Sequence, residues 1–172
     1  MDTLNKDAME EFIKTTHEKY YNIVGHEFGK SIPAIFCNEP QFTHKGCFVD
    51  PLAREEPTVP WTTDLTATYI QRYGQNLEDS LPELFWQLPD DAPSKSRYQY
   101  HDHVYERFSS AFPDVIGQWC AAHKINLTGH LMHEESLASQ AEAFGEAMRC
   151  YRSFTLPGID MLRDAKEYTT VK

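Results

Sequence analysis

The sequence predicts an α/β fold with parallel strands, comprising about three β/α units within one domain of 172 residues. Short apolar segments alternate with segments of helical periodicity, an order typical of a parallel sheet covered by helices. Two of the apolar segments, residues 32–42 and 125–135, also end in carboxylates. The carboxyl ends of parallel strands meet at one edge of a sheet, and this is the edge where we expect chemistry.

The first helix is expected to begin after Asn5, whose side chain is well suited to capping a helix N-terminus. Its apolar side chains include Phe12, Ile13 and Tyr20, which lie on or near one face and should pack inward. Gly25 should end the helix, and a short loop then leads into the first strand.

Residues 32–42 predict a buried strand that runs out into a loop. Pro40 has no N–H to donate, so pairing should stop near it, and it biases Glu39 towards an extended conformation. We therefore expect the carboxylate of Glu39 at the exit of a buried strand. A strand that simply ends in a turn is the alternative, and the residue types do not decide between them. The loop of residues 43–60 follows, where a substrate-contacting segment is expected.

Helical periodicity marks the middle of the chain. A helix over residues 64–73 should end at Gly74, and a short helix follows near residues 77–85. Apolar residues continue at helical spacing over residues 98–120, with a break expected at Pro113.

Strand-like segments return towards the end of the chain. Residues 125–135 predict the second strand, and Ser136 should open a helix that runs through Met148. Residues 156–160 predict a short strand or turn, and residues 167–172 predict another strand that has just started. Both ends therefore look cut in mid-unit, with a helix that lacks its strand and a strand that lacks its helix.

Composition excludes some classes of partner. The net charge is −10, which argues against binding to a nucleic-acid backbone or an anionic membrane surface. The N-terminal residues are acidic and polar and predict no signal peptide, so a cytoplasmic location is expected. The four cysteines form no CxxC motif and are expected to be free thiols, although a Cys37–Cys47 disulfide is left open.

Glu39 and Glu134 are the first candidates for catalysis. Glycoside hydrolysis commonly needs two carboxyl groups across the scissile bond, and two neighbouring strands would bring these glutamates together. Glu135 competes with Glu134 for this role, because strand alternation lets only one of them face inward. With 26 acidic residues in the chain, an acidic pair alone is a weak signal.

A metal site is not predicted. His130, His133 and Glu134 suggest zinc, but the HExxH motif is absent, and the two histidines would face opposite sides of a strand. His101 and His103 are two residues apart on a helix, where they cannot share a ligand face, and we expect them to be solvated.

Three further residues are candidates for the site. Asp160 could bind a sugar hydroxyl or a cation, or form an Asx turn. Trp61 could be a platform for a sugar ring, or could fill the core beneath the loop. Gly129, inside a strand, indicates the close approach of a ligand or of backbone, or else a bulge.

Several short motifs occur in an order that resembles large bacterial glycoside hydrolases, in particular the α-L-rhamnosidase-like enzymes of glycoside hydrolase family 106 and their relatives. The motifs are Phe36-Cys-Asn-Glu-Pro-Gln-Phe42, Val59-Pro-Trp-Thr62, Leu81-Pro-Glu-Leu-Phe85, Leu127-Thr-Gly-His130, His133-Glu-Glu-Ser-Leu137 and Pro157-Gly-Ile-Asp160. Together they cover nearly the whole chain.

The resemblance implies a (β/α)8 TIM barrel, of which residues 1–172 would be a single central fragment of the catalytic domain. Glu39 would match the acid after the fourth strand and Glu134 the acid after the fifth. Relatives often have Asp where this chain has Asn38, which leaves retention or inversion open. A carboxyl separation of about 5 Å favours retention and about 6.5–9.5 Å favours inversion. The resemblance also implies assistance by calcium, but no ligand set in the sequence fixes a calcium site.

Two hypotheses follow. In the first, the chain is part of a glycosidase in which Glu39 is the general acid or acid/base and Glu134 is its partner. The residues that shape the carbohydrate site would be Asn38, Trp61, His130 and Asp160. In the second, the isolated chain is an inactive truncated module that binds carbohydrate weakly. Its exposed sheet edges would favour contact with the rest of the barrel or with a second copy.

Overall fold

The fold is organised around a small parallel sheet. The structure is a computed structural model that describes residues 1–46, 48, 50, 52 and 54–160. Within these residues, the strands β1 (Ala34–Asn38), β2 (Asn126–His130) and β3 (Leu156–Pro157) pair in parallel in the order β1-β2-β3. The predicted parallel α/β arrangement is confirmed to this extent, although each strand is shorter than its apolar segment.

Helices occupy most of the remaining described chain. The α-helices are α1 (Lys6–Thr15), α2 (His17–Val24), α3 (Leu65–Tyr73), α4 (Lys95–Ala111), α5 (Pro113–Ala122), α6 (Leu137–Ala143) and α7 (Ala147–Tyr151). Short 3-10 helices cover Gly25–Glu27, Glu78–Leu84 and Pro89–Asp91. None of the described helices combines the length and hydrophobicity that crossing a lipid bilayer requires.

Local sequence signals set several helix ends. The Asn5 side chain accepts a hydrogen bond from the Ala8 N–H at 3.2 Å, which satisfies one of the free donors at the start of α1. Gly74 ends α3 in the left-handed conformation with φ of 70°. Pro113 separates α4 from α5, as predicted. The prediction that Tyr20 faces inward is wrong, because the helix breaks at Thr16 and Tyr20 lies exposed on α2.

The two faces of the sheet have different surroundings. Side chains alternate along a strand, so Leu127 and Gly129 face the helices and are buried, with α5 packed against β2. The opposite face carries Phe36 and His130, whose rings are 5.7 Å apart. Phe36 is 61% exposed, so this second face is largely uncovered within the described residues.

The expectation that His101 and His103 are solvated is wrong. Helix α3 packs against α4 on the side of His103, which is only 5% exposed, whereas His101 is partly buried against Tyr100 and Tyr105. The His103 Nε2 atom lies 2.9 Å from the Thr68 hydroxyl, and its ring contacts the aromatic ring of Tyr69.

Two sequence expectations fall outside the part of the chain that the structure describes. These are the strand over residues 167–172 and the contribution of Cys47. Cys37, Cys120 and Cys150 are free thiols.

Gly129 permits the close approach of β1 and β2. Its φ is +136°, and a Cβ atom added there would lie 2.0 Å from the carbonyl oxygen of Cys37, its register partner. No side chain fits this space without separating the strands. Of the alternatives left open for a glycine here, close approach of backbone is the one observed.

We expect Gly129→Ala to lower the free energy of unfolding by more than about 3 kcal/mol, because it combines backbone strain with a backbone clash. Gly74→Ala is the matched control, since Gly74 also has positive φ but has no atom within 4 Å of the added Cβ. The control should lose about 1–2 kcal/mol. Urea denaturation of both variants measures the difference, and equal losses would contradict the packing described here.

The stability of the fold should fall in mild acid because of His103. Burial, followed by the nearby Arg107 and Arg72, lowers the pKa of His103 to about 4, against 6.5 for an unperturbed histidine. Asp102 and Asp64 act in the opposite direction but do not cancel these effects. The unfolded chain therefore binds the proton first as pH falls, so this stability is present above pH 6.5 and lost towards about pH 4.

The measurement is the urea midpoint between pH 7 and pH 5, a range above the ordinary pKa of the carboxylates. His103→Gln should make the decline of the midpoint with falling pH less steep, while His101, whose pKa burial also lowers to about 4, keeps part of it. His26→Gln, at an exposed histidine, should leave the decline as it is in the parent chain. A decline that is unchanged in His103→Gln would rule out this histidine as its source.

Candidate functional site

The candidate site lies at the carboxyl edge of the sheet. β1 ends at Asn38, which pairs in register with His130 at the end of β2. Glu39 follows β1 directly, and Asp160 lies three residues beyond the end of β3. Three strands distant in sequence thus deliver polar side chains to the same edge.

Glu39 follows β1 directly in the left-handed backbone conformation. Its N–H donates to the carbonyl oxygen of His130 at 3.1 Å, and its φ is +48°. The expectation that Pro40 keeps Glu39 extended is therefore wrong. That conformation costs a residue with a side chain about 1–2 kcal/mol, and strain of this kind is concentrated at functional sites.

Glu39, His130 and Asp160 form a cluster of ligand-type groups. One donor atom from each side chain lies within 4.8 Å of the other two. His130 is buried, at 8% exposure, whereas Glu39 and Asp160 are half-buried. The sequence analysis assigned all three residues to one carbohydrate site. It did not identify them as a set of converging ligand atoms, because they come from three strands and no spacing along the chain relates them.

His130 is held by its neighbour across the ladder. Its Nε2 atom is 3.1 Å from the side-chain carbonyl oxygen of Asn38, which can only accept a hydrogen bond. With the Asn38 amide in this orientation, Nε2 is the nitrogen that donates, which leaves Nδ1 as the second position of the ring. Nδ1 is buried and has no hydrogen-bond partner among the described residues.

Glu134 lies beneath this cluster in a different environment. It is 6% exposed, and its two oxygens accept hydrogen bonds from the backbone N–H groups of Leu131 at 2.9 Å and Asp160 at 3.4 Å. Burial raises the pKa of Glu134 above its ordinary value, although the two backbone hydrogen bonds act to lower it. Glu134 thus ties the turn after β2 to the segment that carries Asp160.

The strand-alternation argument for Glu134 does not hold in the structure. β2 ends at His130, and residues 131–135 form a turn, so alternation does not decide which glutamate faces inward. The turn itself buries Glu134 and exposes Glu135. His133 is also exposed on this turn, with its ring 5.6 Å from that of His44.

Tyr151 is a site residue that the sequence analysis missed. Its hydroxyl accepts a hydrogen bond from the Leu131 N–H at 3.3 Å and donates to the carbonyl oxygen of Gly158 at 3.0 Å. It therefore braces the same two segments as Glu134. Nothing in the local sequence distinguishes Tyr151 from the other tyrosines, because its role depends on the placement of α7.

Trp61 belongs to a neighbouring cleft rather than to the carboxylate cluster. It is partly exposed and lines an open cavity of about 580 Å³ between the N-terminal residues and the segment after Pro40. The other lining residues are Met1, Asp2, Thr3, Leu4, Gln41, Phe42, Thr43 and His44.

Comparison with solved structures gives one informative match. A rhamnosidase from Novosphingobium sp. PP1Y superposes with a TM-score of 0.61 over 90% of this chain, at 12% sequence identity. This similarity shows the fold alone. The chain spans 13% of the length of that rhamnosidase. No protein-family model and no curated protein sequence matches the chain.

We expect Glu134→Gln to lower the free energy of unfolding by about 1–3 kcal/mol. A glutamine keeps one oxygen but turns an N–H group towards the second backbone donor, which leaves that buried donor unsatisfied. Glu135→Gln on the same turn is the matched control and should change stability by less than about 0.5 kcal/mol. Urea denaturation tests both variants, and equal stabilities would show that the buried contacts of Glu134 contribute nothing.

Proposed function

We propose that this chain is part of a (β/α)8 catalytic domain that hydrolyses O-glycosidic bonds, in the manner of an α-L-rhamnosidase. The observation that carries the proposal is the cluster of Glu39, His130 and Asp160 at the carboxyl edge of a parallel sheet, with Glu134 hydrogen-bonded to the backbone N–H of Asp160. In barrels of parallel strands this edge holds the active site. The fold shared with part of a rhamnosidase supports the same conclusion.

Hydrolysis of a glycosidic bond commonly uses two carboxyl groups, and Glu39 and Glu134 are the two that we assign to this role. Glu39 is half-buried and within reach of a substrate, so it is the carboxyl group that we place at the scissile bond. Glu134 is held by two backbone donors, which suits it to stabilising developing charge rather than to attacking the sugar. Asp160 connects the two, because its backbone contacts Glu134 and its carboxylate lies near Glu39.

The remaining predicted residues would shape the carbohydrate site. Asn38 and His130 lie beside Glu39 and offer polar groups to sugar hydroxyls. Trp61 lies in the adjoining cleft, where its exposed ring could stack against a second sugar unit.

A second role, association with further barrel units or with another copy, is supported by two apolar surfaces. The open face of the sheet exposes Phe36 and Leu156. A groove of about 430 Å³ also lies between the first two helices and β1, lined by Phe12, Thr16, His17, Tyr20, Val24, Phe28, Ile32 and Ile35. Surfaces of this kind commonly mark contact sites.

We expect Glu39→Gln, made in the complete enzyme to which we assign this chain, to reduce hydrolysis of nitrophenyl α-L-rhamnoside about 10²–10⁴-fold. Glutamine keeps the size of the side chain but neither releases nor accepts the reacting proton. Glu135→Gln, at an exposed position on the same edge, should retain the activity of the parent protein.

Full activity in Glu39→Gln would remove Glu39 from the mechanism. Inactivity of the parent protein on a panel of aryl glycosides would oppose the hydrolase proposal itself. The 172-residue chain alone should show little or no activity, because the three strands within the described residues do not close a barrel.

A further inference from the structure

We propose that Glu39, His130 and Asp160 form a binding site for a transition-series divalent cation, of the class of Zn²⁺ or Co²⁺. The site is built from the ends of three strands, and no two of its residues are close in sequence. The inference stands on the donor groups and their geometry, and it does not depend on glycoside hydrolysis.

The three donor atoms already converge. Their mutual separations are no greater than 4.8 Å. Zinc binds nitrogen and oxygen ligands at about 2.0–2.2 Å, so two ligands of one ion lie at most about 4.4 Å apart. Small rotations of the half-buried Glu39 and Asp160 side chains are enough to bring all three donors onto one ion, while buried His130 stays in place.

The second, independent observation is the buried lone pair on His130 Nδ1. The side-chain oxygen of Asn38 accepts a hydrogen bond from the Nε2–H group, which leaves the lone pair of the ring on Nδ1. A buried acceptor without a partner destabilises the fold, and a cation bound at Nδ1 would remove that penalty. Metal-binding histidines commonly donate their other ring N–H to an oxygen in this way, which fixes the tautomer and the orientation of the ring.

The surroundings of His130 distinguish it from the other histidine with a buried, unpartnered Nδ1. His103 also has such an atom, but the charges nearest to it include the guanidinium groups of Arg107 and Arg72, which repel a cation. The ring of His130 lies beside the carboxylates of Glu39 and Asp160, which attract one. The two environments therefore predict opposite responses to a metal ion.

Calcium, the ion that the resemblance to rhamnosidases implies, does not fit this donor set. Ca²⁺ takes six to eight oxygen ligands, whereas the cluster supplies one imidazole nitrogen and two carboxylates. Glu134, the nearest further carboxylate, already accepts two backbone hydrogen bonds. Imidazole suits the transition ions and zinc, and three protein ligands leave a coordination position for water or a hydroxyl oxygen.

The test is titration of the chelator-treated, 172-residue chain with Co²⁺, followed by its visible absorption and by calorimetry. We expect one ion per chain, displacement by Zn²⁺ and no displacement by excess Ca²⁺. His130→Gln and Asp160→Asn should each weaken Co²⁺ binding at least about 10-fold. The controls His133→Gln and Glu135→Gln remove an exposed imidazole and carboxylate from the same turn, and they should bind as the parent does.

Asn38 provides a test of the positioning of the histidine. Asn38→Ala should weaken Co²⁺ binding about 10–100-fold, because the imidazole loses the acceptor that orients it. Asn38→Asp keeps an acceptor oxygen at this place and should restore binding. Circular dichroism without metal checks that each variant folds. If His130→Gln does not fold, the proposal is tested with Glu39→Gln and Asp160→Asn, whose positions are half-buried.

Failure to bind Co²⁺ or Zn²⁺, retained binding in folded Asp160→Asn and Glu39→Gln, or loss of binding in His133→Gln would each overturn the proposal. Equal competition by Ca²⁺ would overturn the assignment of the metal class. Since the readout needs no glycoside, metal binding without hydrolysis would remove only the proposed function. Hydrolysis without metal binding would remove only this inference.

Discussion

The parallel pairing of β1 with β2 is the constraint on which the site depends. The register places Asn38 beside His130, and it brings Glu39 close enough for its N–H to continue the ladder. This pairing is possible only because position 129 lacks a side chain where the backbone of Cys37 approaches. The same contact therefore holds the two strands together and sets the distance between the groups at their ends.

Polar contacts of two side chains connect the turn after β2 to the segment after β3. Glu134 and Tyr151 both contact the turn after β2 and the segment after β3, through backbone atoms of Leu131, Gly158 and Asp160. Since β3 itself pairs over only two residues, these side chains supply much of what positions Asp160. Glu134, which we propose as one of the two catalytic carboxylates, thus has a structural role as well. The two roles require separate tests.

The sheet has one covered face, and its chemistry lies at the edge. Helix α5 packs under β2, while Phe36 and Leu156 remain exposed on the other side. An apolar face of this kind is usually covered in a complete α/β domain.

The sequence by itself determined the local elements: the Asn5 cap, the Gly74 stop, the break at Pro113 and the strands β1 and β2. Each depends on a residue and its near neighbours, so local chemistry was sufficient. The tertiary structure alone decided that Glu39 adopts positive φ, that Glu134 is buried beneath Asp160 and that His103 is buried. It also grouped Glu39, His130 and Asp160. Those outcomes depend on strand register and helix packing, which join residues about 30 to 120 positions apart and leave no periodic signal in the sequence.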